Sequence, residues 1–243
     1  MGNFIGGEAN GKPLFDYLLT DSFITPAEAG SNYAEALAKL PYSYQPNDRK
    51  RPVAKTPSRR DCALPDNAFV FCCFNQPSKI TPELFNVWMA ILIKAPNSIL
   101  WLLEDTPRQV KNLCDYAAMH GVNPDRLKFA SHMPYADHLA RYAEVDLALD
   151  TYPFNGGTTT SDALWGGCPV LTLTGRSLAS RMGTSLLTAL GLNELIADSL
   201  ETYLLTALEL SQKRERLNQL RGLLAKHRHE TAVFDSQQIS RSF

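Results

Sequence analysis

The run Asn155-Gly156-Gly157-Thr158-Thr159-Thr160-Ser161-Asp162 carries the most specific chemistry in the chain. Two adjacent glycines let a backbone approach a ligand closely, and three threonines then open a helix. A helix start offers free N–H groups and the positive end of the dipole, a site suited to a phosphate or diphosphate, and the Thr158 and Thr159 hydroxyls add donors. The plainer reading is that the threonines only cap the helix. Lys79, at the end of Phe74-Asn75-Gln76-Pro77-Ser78-Lys79, is a cation able to meet those phosphates across a crevice, although a lone lysine is usually just solvated. Asp162, one turn into the helix, can accept from ribose hydroxyls or simply sit well near a helix N-terminus. His138 and Arg141 are three apart, hence on one helix face, and can flank a base; taken blind, such a pair is more often a surface pair.

These groups act together only if the fold gathers them. Short apolar runs predict strands at Ala68–Phe74, Ser98–Leu103, Arg126–Ala130, Val145–Leu149 and Pro169–Leu173. Helices are expected from Thr81-Pro82, from Thr106-Pro107 to Gly121, over Tyr135–Ala143, Thr158–Trp165 and Leu178–Leu190, and through most of Ser199–Arg228. Strands alternating with helices imply an α/β fold, a doubly wound parallel sheet with right-handed crossovers. Ligands of such a sheet bind beyond the carboxyl ends of its strands, where the segments above lie. Asp146 and Asp150 flank the fourth strand four apart, with Asp146 read as ending the preceding helix. The first 60 residues are different: a helix is expected over Pro26–Leu40 with Thr25 as cap, then a polar, basic stretch from Asn47 to Arg60. That region reads as an appendage or the end of another domain, leaving 61–243 as the nucleotide-binding unit.

Composition narrows the field. The 243 residues include 24 Lys+Arg against 25 Asp+Glu, a net charge of -1, which gives no electrostatic case for a nucleic-acid or acidic-membrane partner. The longest apolar run, Val87 to Ile93, is too short to span a bilayer, and the first residues lack the basic-then-apolar order of a signal peptide. Five cysteines without CxxC spacing read as reduced thiols, consistent with a cytoplasmic protein. There is no GxGxxG, P-loop, GxSxG or HExxH motif, and no Asp-x-Asp pair follows a strand to hold a metal. The basic residues of the tail (Lys213, Arg214, Arg216, Arg221, Lys226, Arg228) alternate with leucines and read as a solvated helix face.

Phe74-Asn75-Gln76-x-x-Lys79, Pro96-Asn97-Ser98-x-Leu100-Trp101-Leu102-Leu103, Leu149-Asp150-Thr151 with Asn155-Gly156-Gly157-Thr158-Thr159, and Leu178-Ala179-Ser180-Arg181 occur in that order. The combination resembles the C-terminal catalytic lobe of the O-linked N-acetylglucosaminyltransferases and SPINDLY-like proteins, glycosyltransferase family 41. The resemblance implies a GT-B enzyme of two Rossmann-like lobes. It would transfer a sugar, usually from UDP-GlcNAc, to Ser or Thr of a protein acceptor, with no metal and no cofactor beyond the UDP-sugar co-substrate. It further implies that Lys79 neutralises the leaving diphosphate, Gln76 contacts it, and Gly157, Thr158 and Thr159 bind phosphate at the helix start. Asp162 would hold the ribose, and the Met133 backbone with His138 and Arg141 would hold the uracil. Two positions depart from members that use UDP-GlcNAc: Gly157 stands where they often have His, and Tyr135 where they often have Lys. Residues 1–60 would then be a remnant of the N-terminal lobe and linker, with the rest of that lobe, or a tetratricopeptide-repeat segment, as a separate partner. Two other readings follow: a catalytically incomplete nucleotide-sugar-binding fragment or, more weakly, a sugar-nucleotide epimerase.

Overall fold

The computed structural model describes residues 8–9 and 12–241, with side chains from residue 14 onward. The reading of the first residues as carrying no signal peptide lies outside the described residues. Two short antiparallel strands, β1 (Glu8–Ala9) and β2 (Lys12–Pro13), precede a separate parallel pair, β3 (Tyr17–Asp21) and β4 (Ala36–Leu40). The main sheet follows: β5 (Phe69–Cys73), α1 (Pro82–Lys94), β6 (Ser98–Leu103), α2 (Pro107–Met119), β7 (Leu127–Ala130), α3 (Tyr135–Ala140) and β8 (Leu147–Leu149). Then come α4 (Thr158–Trp165), β9 (Val170–Leu173), α5 (Met182–Ala189), β10 (Ile196–Ala197), α6 (Leu200–Gln212), α7 (Arg214–Glu230) and α8 (Ser236–Ser240).

All strands of the main sheet are parallel, in the order β10-β9-β8-β5-β6-β7. The chain runs outward from β5 to β7, then returns across the sheet to β8 beside β5. The switch point therefore falls between β5 and β8, and the crevice beyond their carboxyl ends is where a ligand belongs. All five residues of β5 are buried, as a central strand covered on both faces requires. Helix α6 packs on α1, whereas α4 touches α3, α5 and α7, so the two groups of helices sandwich the sheet. The expected caps form: the Thr81 and Thr106 hydroxyls accept from the Leu84 and Gln109 N–H groups. Gly121, with φ at 75°, closes the turn after α2 as the sequence implied.

Several expectations fail for physical reasons. Pro26–Leu40 is not a helix. A 3-10 turn spans Ala27–Asn32, the chain turns extended at Tyr33, and Ala36–Leu40 pairs residue by residue with β3. Tertiary pairing outweighs the helical propensity of Ala-Leu-Ala-Lys-Leu. Thr25 caps nothing; its hydroxyl meets that of Thr20 at 2.7 Å. The sheet also has a sixth strand, β10, too short at two residues to register as an apolar run.

The helix expected over Tyr135–Ala143 tightens to 3-10 after Ala140, and the one over Leu178–Leu190 breaks at Arg181. Asp146 ends no helix. It is buried, accepts from the Val70 N–H at 2.8 Å, and pairs with Arg59 and Arg214. The tail's basic residues are likewise not all solvated: Arg221 donates to the Val145 carbonyl and Arg228 to that of Trp165, pinning α7 to the lobe.

Among the described residues, those before the lobe form no buried cluster without a residue of the lobe. Ile24 and Tyr44 pack with Met182 of α5. Asp21 stitches the region in place: one carboxylate oxygen accepts from the Phe23 and Ile24 N–H groups, the other from the Tyr44 N–H and the Ser185 hydroxyl. The five cysteines are unpaired, with Cys72, Cys73 and Cys168 buried. No helix among the described residues is long and apolar enough to cross a membrane.

Candidate functional site

The loops after β5 and β8 meet at the switch point. Lys79 ends a short 3-10 turn that begins at Pro77, and its ammonium reaches the β8 loop. There it donates to the Asn155 carbonyl at 3.0 Å and lies 3.8 Å from the centre of the Phe154 ring. Burial lowers the lysine's pKa, and the nearby Asp150 carboxylate opposes that shift. Gln76 is exposed at the start of the same turn.

Asn155 is two residues ahead of Gly157, which caps α4 without any side-chain hydrogen bond. No hydrogen bond among the described residues engages the Thr158 or Thr159 hydroxyl. The threonines are therefore not spent on capping, and the helix start keeps its donors free for an anion. The glycines are required by crowding. A Cβ at position 156 would lie 2.7 Å from both Asn75 Oδ1 and Thr160 Oγ1, and one at position 157 would lie 2.5 Å from Met182 Cε and 3.0 Å from the Tyr44 hydroxyl. The space beside Gly157 is thus already filled by other parts of this chain.

Asp150, which no role was expected for, holds the loop in shape. Its carboxylate is 2% exposed. Oδ1 accepts from the Gly156 N–H at 2.7 Å, the Thr151 N–H at 2.8 Å and Asn75 Nδ2 at 3.1 Å, while Oδ2 accepts from the Thr172 hydroxyl at 2.7 Å. One side chain thereby ties the ends of β5, β8 and β9 to the glycine turn. Burial pushes its pKa up to about 6, against the pull of its four donors, so it is ionised at neutral pH. Its place at the end of a buried strand and in the Leu149-Asp150-Thr151 motif marked it in the sequence, but gave it no role.

At the other end of the crevice, Arg141 and His138 form a buried pair and not a surface one. Arg141 is 1% exposed, stacks its guanidinium 4.1 Å from the Phe74 ring centre, and donates to the Ser131 carbonyl at 3.0 Å and to His138 Nδ1. Burial, reinforced by Arg141, lowers the His138 pKa to about 4, so the neutral ring can accept that hydrogen bond. A depressed histidine pKa favours folding when the ring is neutral. His138 thus contributes stability that is full above about pH 6.5 and lost as pH falls toward 4. Relative to His138→Gln, the wild type is expected to lose stability across that window in denaturant melts at a series of pH values. A parallel pH dependence for both proteins would remove His138 as the cause. Met133, 42% exposed, stands at the mouth of a pocket of about 430 Å³ that Arg141 and Trp101 also line.

Asp162 lies between these ends and is 4% exposed. Its Oδ1 accepts from Tyr135 Oη at 2.7 Å and from Arg51 Nη1 at 2.8 Å. The carboxylate pushes the Tyr135 pKa up to about 12, after burial, the larger cause. Arg51 was missed by sequence reasoning, since nothing local links it to a residue 111 positions away. Contacts join the expected residues in steps: Lys79 meets the Asn155 carbonyl just before the Gly157–Thr159 turn, Tyr135 of α3 ties that helix to Asp162 of α4, and Arg141 holds His138 and shares a pocket with Met133, whereas Gln76 is exposed. Among the described residues no group of His, Cys, Asp and Glu is arranged to hold a metal ion.

The profile of glycosyl transferase family 41 matches residues 50–243. The chain is 38% identical to the probable UDP-N-acetylglucosamine–peptide N-acetylglucosaminyltransferase SEC of Arabidopsis thaliana, over 93% of this chain and 24% of that protein. It is 36% identical to the probable UDP-N-acetylglucosamine–peptide N-acetylglucosaminyltransferase SPINDLY of Oryza sativa subsp. japonica, over 95% of this chain and 25% of that one. Among solved structures it superposes on a lysine-to-methionine mutant of the Thermobaculum terrenum O-GlcNAc transferase. The TM-score is 0.83 at 35% identity, covering 94% of this chain and 43% of that one. This chain spans about a quarter of the length of these curated relatives.

Proposed function

This chain belongs to glycosyl transferase family 41 and has the Rossmann-like lobe of a GT-B enzyme, and from that premise we propose that it is the donor-binding part of a protein O-glycosyltransferase. The donor is a UDP-sugar, UDP-GlcNAc, and the acceptor a Ser or Thr hydroxyl of a protein. The observation that carries this reading is the contact of Lys79 with the Asn155 carbonyl at the switch point, two residues ahead of Gly157 at the uncapped start of α4. As the sugar leaves, negative charge grows on the diphosphate. An ammonium and a row of helix N–H groups stabilise it there, without a metal in this proposal. Gln76, Gly157, Thr158 and Thr159 bind the phosphates, Asp162 the ribose, and Met133, His138 and Arg141 the base.

The parallel pair β3–β4 supports a further part of the reading, that residues up to about 60 are the end of an N-terminal lobe and its linker. It is a two-stranded sheet outside the main one, and Leu14, Phe15, Tyr17 and Leu19 beside it are each half or more exposed. Such a pair is too small to stand alone, and an apolar exposed surface of this kind calls for more chain against it. The relatives' greater length agrees, and the cytoplasmic placement rests on the unpaired thiols. A second reading, binding without turnover, is favoured for this chain by itself, which spans 43% of the T. terrenum enzyme. The names of the relatives set the epimerase reading behind both.

Titration calorimetry with UDP tests the proposal, with binding expected in the micromolar-to-millimolar range. Labelled UDP-GlcNAc mixed with a peptide library should show negligible transfer by this chain and turnover once the upstream lobe is supplied. Absence of UDP binding refutes the donor assignment, and robust transfer by this chain alone refutes the need for a second lobe.

A further inference from the structure

The stretch from Tyr44 to Cys62, of which Asn47 to Arg60 reads in sequence only as polar and basic, runs past Gly157, Asp162 and the pocket beside Met133. The Tyr44 hydroxyl and Gln45 Oε1 face Gly157, at 3.0 and 3.3 Å from where its Cβ would be. Asn47 then accepts from the Ser161 hydroxyl at 2.7 Å and from Arg51 Nη2 at 2.6 Å, while Arg51 Nη1 reaches Asp162. The Ala54 N–H donates to the Ala136 carbonyl of α3 at 3.1 Å. Lys55, Pro57, Asp61 and Cys62 complete the 430 Å³ pocket with Met133 and Arg141. Order along this stretch therefore equals order along the ligand proposed above: phosphate, ribose, base.

Two polar atoms without a partner among the described residues, one open and one buried, point to a ligand between this stretch and the lobe. Asp162 Oδ1 takes both Arg51 and Tyr135, which leaves Oδ2 with no hydrogen bond from the described residues and open for a ligand hydroxyl to meet it. Arg141 leaves its buried Nε unpartnered beside the pocket. Arg51 is held from behind as well, its guanidinium 5.6 Å from the Phe234 ring centre and its side chain 12% exposed. A residue so fixed can orient the carboxylate it pairs with.

We propose that residues 44–62 form the outer wall of the donor site, and that Arg51 is the positioning residue that turns the free oxygen of Asp162 toward the ribose hydroxyls. This rests on the nucleotide-sugar reading and adds which residues close the site and what selects a ribonucleotide. A hydrogen bond between a ribose hydroxyl and an oriented carboxylate favours UDP over 2′,3′-dideoxy-UDP by roughly ten- to hundredfold. Arg51→Gln is expected to bring that ratio to within about threefold of one, because a single neutral hydrogen bond from Tyr135 then holds the carboxylate less firmly, whereas Arg51→Lys keeps the charge and most of the ratio.

A second measurement needs no variant. Cys62 lines the base end of the pocket, whereas Cys114 lies on α2, so the two half-buried thiols serve as probe and internal reference. Saturating UDP should slow alkylation of Cys62 several-fold and leave Cys114 unchanged. If the wild type binds UDP but Cys62 reacts at the same rate, or if Arg51→Gln keeps the full ribose preference, the wall is misplaced and the nucleotide reading survives. Failure of the wild type to bind UDP overturns both.

Discussion

Lys79→Ala should weaken UDP binding by roughly ten- to hundredfold in calorimetry, with little change in folding. The diphosphate brings two or more negative charges to the switch point, where Lys79 is held against the Asn155 carbonyl just ahead of α4, and a charge-assisted hydrogen bond of this kind is worth about 1.5–3 kcal/mol. The ammonium is held by the Asn155 carbonyl and the Phe154 ring, contacts that a half-buried side chain exchanges for phosphate oxygens at modest cost. Loss of those contacts costs about 1 kcal/mol of stability or less, so the variant should melt close to the wild type. Lys79→Arg keeps the charge but replaces a compact ammonium with a planar fork in a space set by Phe154, and recovers only part of the affinity. In an assembly that turns over, the same loss should lower kcat by a further two to three orders of magnitude, since the lysine matters most when the leaving group is most negative. Equal UDP affinity in wild type and Lys79→Ala would remove the role assigned to it.

Asp150→Ala is expected to be the most destabilising single change in the site, by about 3–5 kcal/mol, a fall in Tm on the order of 10 °C. It strands four buried donors at once: the N–H groups of Gly156 and Thr151, the Asn75 amide and the Thr172 hydroxyl. The glycine turn then loses its anchor, and UDP affinity should drop with it.

Asp150→Asn tests the charge separately. Its Oδ1 can keep the three N–H donors, and its amide can donate to the Thr172 hydroxyl, so the turn should survive. What changes is the pH dependence. A carboxyl whose folded pKa is about 6 against 3.8 unfolded binds a proton more readily when folded, so its contribution falls by about 3 kcal/mol as pH rises from 4 to 6 and is flat above. His138 acts in the opposite sense over an overlapping window, so the wild-type curve alone separates neither. The difference between wild type and Asp150→Asn isolates the carboxylate: the wild type should lose stability relative to the variant between pH 4 and 6. A constant difference across that range would show that Asp150 does not titrate there.

Local signals were strong where a residue's neighbours in sequence are also its neighbours in space. The caps at Thr81 and Thr106, the turn at Gly121, the bounds of α4 and the strand Ser98–Leu103 all depend on contacts within a few residues, and they stand as read. Pro26–Leu40 misled because the decisive contacts of Ala36–Leu40 are with Tyr17–Asp21, and pairing between strands leaves no mark in the paired segment's own propensity. Asp146, read as a helix end, and Arg221 and Arg228, read as solvated, misled because their partners are distant in sequence. A charged residue looks solvated in sequence, and only its distant partner reveals that it caps a carbonyl or a strand.

By itself, then, the order of residues determined an alternating parallel sheet and a set of loops rich in phosphate-binding chemistry, because periodicity, caps and glycine pairs are local physics. Tertiary structure alone decided which loops face each other. The return of the chain from β7 to β8 sets the β5 and β8 loops side by side, bringing the Lys79 ammonium to Asn155 and the Asn75 amide to Asp150. It also laid Arg51 against Asp162, across 111 residues. Such juxtapositions depend on burying one sheet between two helical layers, an energy summed over the whole lobe that no window of sequence contains.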